Sequence, residues 1–353
     1  MTSVINKARD EDLSAKIEAL ADSIAPGLSK AILDALEGVT DQVTLKAMIE
    51  ALETGNVSAA LDLLSNDVFQ AQLQPVKENL ENAVFAGGAL AAANVARFTA
   101  TGFIFERLNP RLIDWLNEYS FDLIRQIGET TREGIRDALV AGMQSGEGAI
   151  ATARKVRPLI GLTKRQGAAV GAFRKELETF HTRSSAKGWN LGGKISRANG
   201  RQVFAIDADG NPIDGIVERR LRDFRFDGSL KRAMASGKPL TPSQIDKMVA
   251  AYARKYRRYR SEMIARTEAI RTTNVGVQDA WRQAIEDGKI DESTVVRRWI
   301  VTKDERLCPI CSPIPSLNKE GVGMGEAFAT PAGPVMLPPV HPACRCTVFI
   351  RSD

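Results

Sequence analysis

Cys308-Pro-Ile-Cys311, followed after a long Pro- and Gly-containing stretch by His341-Pro-Ala-Cys344-Arg-Cys346, is the part of this chain that decides how it is built. All four cysteines and one of the two histidines among 353 residues lie here. Soft ligands gathered this tightly mean a metal site or a covalent staple, with a segment folded around it. A CxxC on a tight turn delivers two sulfurs to one tetrahedral zinc, a spacing shared by many structural sites. His341, Cys344 and Cys346 offer three more donors, so five candidates compete for four places. The two-residue step from Cys344 to Cys346 points both side chains the same way along extended chain. Both can then ligate, or Cys346 can replace His341. A disulfide pair or buried thiols are the other options. The first 25 residues lack a basic–apolar–small signal pattern, which points to a reducing cytosol, where clustered cysteines favour metal over disulfides.

A catalytic zinc fits poorly. Zinc deaminases pair their PCxxC with an upstream H-x-E. Here His341 lies downstream, and His181 is followed by Thr182-Arg183. Two histidines leave most general-base schemes short of a residue, so no catalytic residue is assigned and the expectation is a non-enzyme. Asp207-Ala-Asp-Gly-Asn-Pro212 begins like a calcium loop and reaches Glu218 at position twelve. Pro212, however, stands where the loop's turn needs Gly, so this is read as a plain hairpin turn.

Working outward from the cysteines, Val295–Val301 and Thr347–Ile350 read as strands bracketing the module, with 312–340 a loop held by its ends. Thr241-Pro242-Ser243 opens a helix by capping logic, continued by a helix from Ser261 to about Asp287. Asn109-Pro110 starts a long helix to about Met143. Further helices are expected over 147–158 and over 163–180, the latter capped by Thr163. Val84–Ala96 is uncharged, but its thirteen residues fall short of the ~20 needed to cross a bilayer. Its Gly87-Gly88 suggests a buried helix or a close helix contact. Residues 1–80 read as short amphipathic helices ending near Gly38 and Gly55. Residues 183–240 are Gly-interrupted, with Gln202–Ile206 and Ile213–Val217 as an expected β-hairpin. The fold class is therefore mainly α (α+β), with multi-helix N-terminal and central regions and a small β-containing, Cys/His-clasped C-terminal module. Three parts are drawn: an acidic helical 1–145, a basic 146–260 carrying the insertion, and 261–353 with the last helix and the cysteines.

The net charge of +5 conceals an asymmetry: −10 over residues 1–150, +16 over 151–260 and −1 over 261–353. A polyanion partner or an acidic protein surface is implied. Arg254, Lys255, Arg257, Arg258 and Arg260, interleaved with Tyr252, Tyr256 and Tyr259, could grip double-stranded DNA non-specifically, since no base-reading module is visible. The alternative is a basic helix paired with the acidic N-terminal half.

Arg266-Thr267-Glu268, the helix on to Trp281, Trp299-Ile-Val-Thr-Lys-Asp304, Arg306-Leu-Cys308-Pro-Ile-Cys311 and Pro338-Pro-Val-His341-Pro-Ala-Cys344-Arg-Cys346 occur in that order. Together they resemble the minor head proteins of tailed bacteriophages, the head-morphogenesis family of Mu-like and related phages. Residues 109–180 look similar more weakly. The resemblance implies a virion component present in few copies, bound near the portal inside the head, and in the host cytoplasm during assembly. It implies the portal protein as partner, with major capsid or scaffolding protein and DNA as others, and no membrane. Capsid assembly, DNA packaging or DNA exit would be its setting, without enzymatic activity. Carried over, Cys308, Cys311, His341, Cys344 and Cys346 become a structural clasp with zinc as its metal. Asp304 and Arg306 would orient its first turn, and Arg266, Glu268 and Trp299 take structural places. The clasp would keep an otherwise thinly packed module folded, because metal-binding energy becomes folding energy. Rival readings are a nucleic-acid-binding zinc-module protein not tied to a portal, and a phage-encoded toxin or transferase.

Overall fold

A computed structural model describes residues 2–352 other than 55, 188–194, 199–200, 206–220, 222, 237, 303 and 306. The helices are α1 (Thr2–Gln42), α2 (Leu45–Glu53), α3 (Val57–Asp62), α4 (Asn66–Val95), α5 (Pro110–Gln144), α6 (Ala149–Val156) and α7 (Lys164–Lys187). The strands β1 (Ile195–Ala198) and β2 (Arg201–Ala205) follow, then α8 (Asp227–Ser236), α9 (Pro242–Glu286), β3 (Val295–Ile300), α10 (Ile314–Leu317) and β4 (Thr347–Ser352). The chain is mainly helical, as expected, with two antiparallel strand pairs among the described residues, β1–β2 and β3–β4.

The cap signals act as their chemistry predicts. Asn109 Oδ1 accepts from the Arg111 N–H at 3.0 Å. Thr163 and Gln166 form a reciprocal box at the start of α7, and Thr241 and Gln244 another before α9. The strands bracketing the cysteines pair with each other, Trp299 opposite Val348 and Arg297 opposite Ile350.

One expectation is corrected. Gly38 does not end a helix: α1 runs 41 residues through it. Leu28, Ile32, Leu36 and Val39 are fully buried at three- and four-residue steps, and that burial outweighs the ~1 kcal/mol a helical glycine costs. The expected pairing of Gln202–Ile206 with Ile213–Val217 reaches into residues outside those described. β2 pairs with the preceding β1, Ala198 opposite Arg201.

The chain divides into two compact units that differ from the contiguous three-part division drawn from charge. Unit 1 comprises Met1–Ala35, Gln70–Ile124 and Arg260–Asp353, and unit 2 comprises Leu36–Phe69 and Arg125–Tyr259. In unit 1, α4 and α9 touch backbone to backbone. A Cβ on Gly87 would land on the Thr273 carbonyl, and one on Gly276 on that of Val84, so only glycine permits the approach. Around this crossing lies one apolar core: Ala91 and Val95 of α4, Val277 and Trp281 of α9, and Trp299, Phe328, Val348 and Ile350 of the C-terminal module. Cys311, Cys344 and Cys346 belong to the same core. The expectation of a thinly packed module is therefore overturned, because α4 and α9 supply the apolar surface that the module lacks by itself. In unit 2, Phe173 of α7 packs on Tyr252 of α9 with ring centroids 4.8 Å apart, and Met248 and Val249 are buried beside them in sequence.

Candidate metal centre

The CxxC closes as a knuckle. The N–H groups of Cys311 and Ser312 both donate to the Cys308 carbonyl, at 3.2 and 3.0 Å, and the Cys311 N–H also reaches Cys308 Sγ at 3.3 Å. His341 enters from the other end of the loop, its Nε2 lying 3.0 Å from Cys308 Sγ and 3.1 Å from Cys311 Sγ. Its Nδ1 is 2.8 Å from the Pro342 carbonyl. A proton on Nδ1 satisfies that contact and leaves the Nε2 lone pair facing the sulfurs, the arrangement a metal-ligating histidine uses. Cys311 Sγ is 3.6 Å from Cys344 Sγ. Two triads result, Cys308–Cys311–His341 and Cys311–Cys344–Cys346, sharing Cys311.

The donors fit zinc. Two sulfurs on one tetrahedral zinc stand about 3.8 Å apart, given Zn–S near 2.3 Å, and 3.6 Å is close to that edge. A disulfide would need about 2.05 Å, and all four cysteines are free thiols. The thiols also influence each other. A hydrogen bond from Cys346 draws Cys344 well down, and the same bond together with burial pushes Cys346 up. Burial pushes Cys311 up. At Cys308 burial opposes ionisation, but the Cys311 N–H and side chain bring it below its ordinary value. Filling the site with metal would release the remaining thiol protons.

Helix α9 holds this centre from behind. Ala343, between His341 and Cys344, has φ +56°, and its N–H donates to Thr267 Oγ1 at 2.9 Å. Thr267, the middle of the Arg-Thr-Glu triplet, thus fixes a left-handed turn that a non-glycine residue adopts only under constraint. Asn274, fully buried, accepts from the Val348 N–H at 3.0 Å and donates to the Cys346 carbonyl at 3.4 Å. Asp304 pairs with the later half of the cluster. It receives a two-pronged bond from Arg345, at 2.8 and 2.7 Å, between the last two cysteines, and Arg345 also pairs with Glu18 at 3.5 Å. Arg306 lies outside the described residues. Trp299 meets Phe328 edge-on, 5.3 Å between centroids, within the core.

Glu268 is buried, accepts from the Tyr119 hydroxyl and pairs with Arg271 at 3.4 Å. Burial raises its carboxyl above the ordinary range despite Arg271. Arg266 is exposed.

Three positions were given no role of their own from the sequence. Thr267 and Asn274 are polar residues on the buried face of a helix, and that was their signal. Arg297 stands inward on β3, where Val295, Arg297 and Trp299 alternate as buried positions, so a charge in an apolar register was visible. Fully buried, it donates to the carbonyls of Gly323 (3.0 Å), Met336 (2.7 Å) and Glu326, and to Gln278 Oε1 (2.7 Å).

The basic run does not form one surface. Arg254 and Arg258 are exposed and Lys255 half-buried, whereas Arg257 and Arg260 are buried. Five cations over seven helical positions circle the axis at 3.6 residues per turn, so some must face inward. Tyr252 is buried as well, leaving Tyr259 the exposed aromatic of the three.

No helix among the described residues is long and apolar enough to cross a membrane. No curated protein and no solved structure was found to match the chain. A family model does match: Phage Mu protein F like protein, over residues 226–349, a span that includes Arg266-Thr267-Glu268, β3 and all five candidate ligands. Over residues 226–349 the chain is thus similar to the Phage Mu protein F like family, a likeness that supports a phage head morphogenesis protein.

Proposed function

We propose that the chain is a minor, non-enzymatic head protein that docks on the portal protein inside the head and contacts packaged double-stranded DNA, with zinc as an internal brace. The observation that carries this reading is where the five donors lie. Three of the cysteines are core residues, and the cavity beside them holds about 40 Å³, far below the ~300–1,000 Å³ of substrate pockets. Four of Cys308, Cys311, His341, Cys344 and Cys346 would hold the ion, which supplies folding energy and no reaction. The +16 charge of residues 151–260 and the outward Arg254 and Arg258 favour DNA contact.

The test is co-expression with the portal protein, followed by affinity capture in moderate salt. Co-purification in a fixed ratio is expected. DNA binding with a steep salt dependence but no portal retention would instead favour the free nucleic-acid-binding factor. Metal analysis should find about one zinc per chain.

A further inference from the structure

A guanidinium taken out of water is ordinarily met by a carboxylate, because an uncompensated buried charge costs several kcal/mol. Arg257, in unit 2, is 7% exposed and is not met in this way. Its Nη1 donates to the carbonyls of Pro158 and Ile160, both at 3.1 Å. Its Nε is buried without a partner, and among the described residues no carboxylate pairs with it. Burial pulls it down to about 10, with Glu37 acting against that pull. Glu37 is already engaged by Arg254, at 2.7 and 3.1 Å. Room for the Arg257 stem comes from Gly161, at φ +78°, where a Cβ would sit 3.0 Å from Arg257 Cδ.

Arg257 lines a cavity of about 440 Å³ with Arg225, Arg254, Thr40, Glu37 and Asp41. Arg225 is paired with Asp223 at 2.6 Å, and its side chain is 83% exposed. Arg157, nearby, is spent on the carbonyls of Val43 and Thr40. Arg225 and Arg254 are thus each paired with a carboxylate, whereas Arg257 and Arg157 are met by carbonyls.

We propose that this cavity binds an oxyanion of the phosphate class, with Arg257 as the buried charge at its wall and Arg254 and Arg225 free to swing from their acidic partners onto the ligand. A guanidinium whose Nε–H has no partner retains a donor that a phosphate oxygen can accept. The volume exceeds what one phosphate fills, so a phosphate ester fits as well as the free ion. The inference stands apart from the head-protein reading and survives or fails without it.

The experiment uses the full chain and inorganic phosphate. Thermal unfolding is followed in phosphate and in chloride of matched ionic strength and pH, with ³¹P line width as a direct readout of binding. The expected result is a saturable rise of the unfolding midpoint and broadening of the ³¹P line, lost in Arg257→Gln. The rim variants Arg254→Ala and Arg225→Ala should each weaken phosphate at least tenfold, and they decide the matter if Arg257→Gln does not fold. A short DNA duplex is then titrated in. Displacement of duplex by phosphate assigns the site to backbone phosphates. Duplex binding indifferent to phosphate, with the phosphate response intact, assigns it to a free phosphate compound. Equal midpoints in phosphate and chloride, or rim variants that respond as the wild type does, would overturn the proposal.

Discussion

Arg297→Met removes the guanidinium that ties the loop between the two halves of the metal centre to β3 and α9, and leaves a side chain of similar length in its place. Four acceptors lose their donor: three loop carbonyls, at Gly323, Glu326 and Met336, and the Gln278 side chain. A fully buried acceptor left unsatisfied costs about 1–3 kcal/mol; the Gln278 bond is buried, while the three carbonyl bonds are part-buried and cost less each. The four do not add in full, because removing the charge also relieves its desolvation, which holds Arg297 down at about 10. The loop can relax as well. The net expectation is a loss of about 3–5 kcal/mol, the range for breaking one side of a buried charged network. Urea unfolding followed by tryptophan fluorescence is a suitable assay, since Trp281 and Trp299 are in the same core. Arg297→Lys should recover only part of the loss, because an ammonium cannot reproduce the fork that spans several acceptors. A methionine variant within about 1 kcal/mol of wild type, or full recovery with lysine, would refute the argument that the hydrogen bonds hold this loop.

Other outcomes follow from the same structure. Gly87→Ala or Gly276→Ala should destabilise by about 1–3 kcal/mol or more despite better helix propensity, because the added methyl meets a backbone carbonyl. Gly171→Ala, where nothing lies within 4 Å of the new methyl, should instead stabilise by about 0.5–1 kcal/mol, and thermal melts of all three separate the cases. Replacing Cys308 and Cys311 together by Ser should abolish bound zinc and lower the melting temperature; unchanged metal content and melting would reject the clasp. Glu268 has a raised folded pKa because burial disfavours its charge. Just above its ordinary 4.5 the folded state therefore holds more protons than the unfolded one, and stability falls as pH rises through that window. Glu268→Gln should accordingly gain on wild type between pH 4 and pH 7, and a pH-independent difference would show that burial does not govern this carboxyl.

Local signals were legible where the chemistry is local. Asn109, Thr163 and Thr241 cap helices because their side chains reach backbone N–H groups two or three residues away. The five soft donors were found by residue type and spacing, and β3 and β4 by their apolar, β-branched runs. Gly38 misled because a glycine's cost is small beside the burial on either side of it. The basic run misled because charge was counted along the sequence without asking which way each side chain turns. Arg254 and Arg257 are three residues apart, yet one is exposed and the other buried.

By itself, the sequence determined the helical class, the helix starts and the set of five candidate ligands, since capping, period and donor chemistry all act within a few residues. Only the tertiary structure decided that Thr267, Asn274 and Arg297 brace the Cys/His cluster, that its cysteines share a core with α4 and α9, and that Arg257 carries a buried charge without an acid. Those outcomes depend on which distant segments pack together, because burial and the search for a hydrogen-bond partner are properties of the assembled interior.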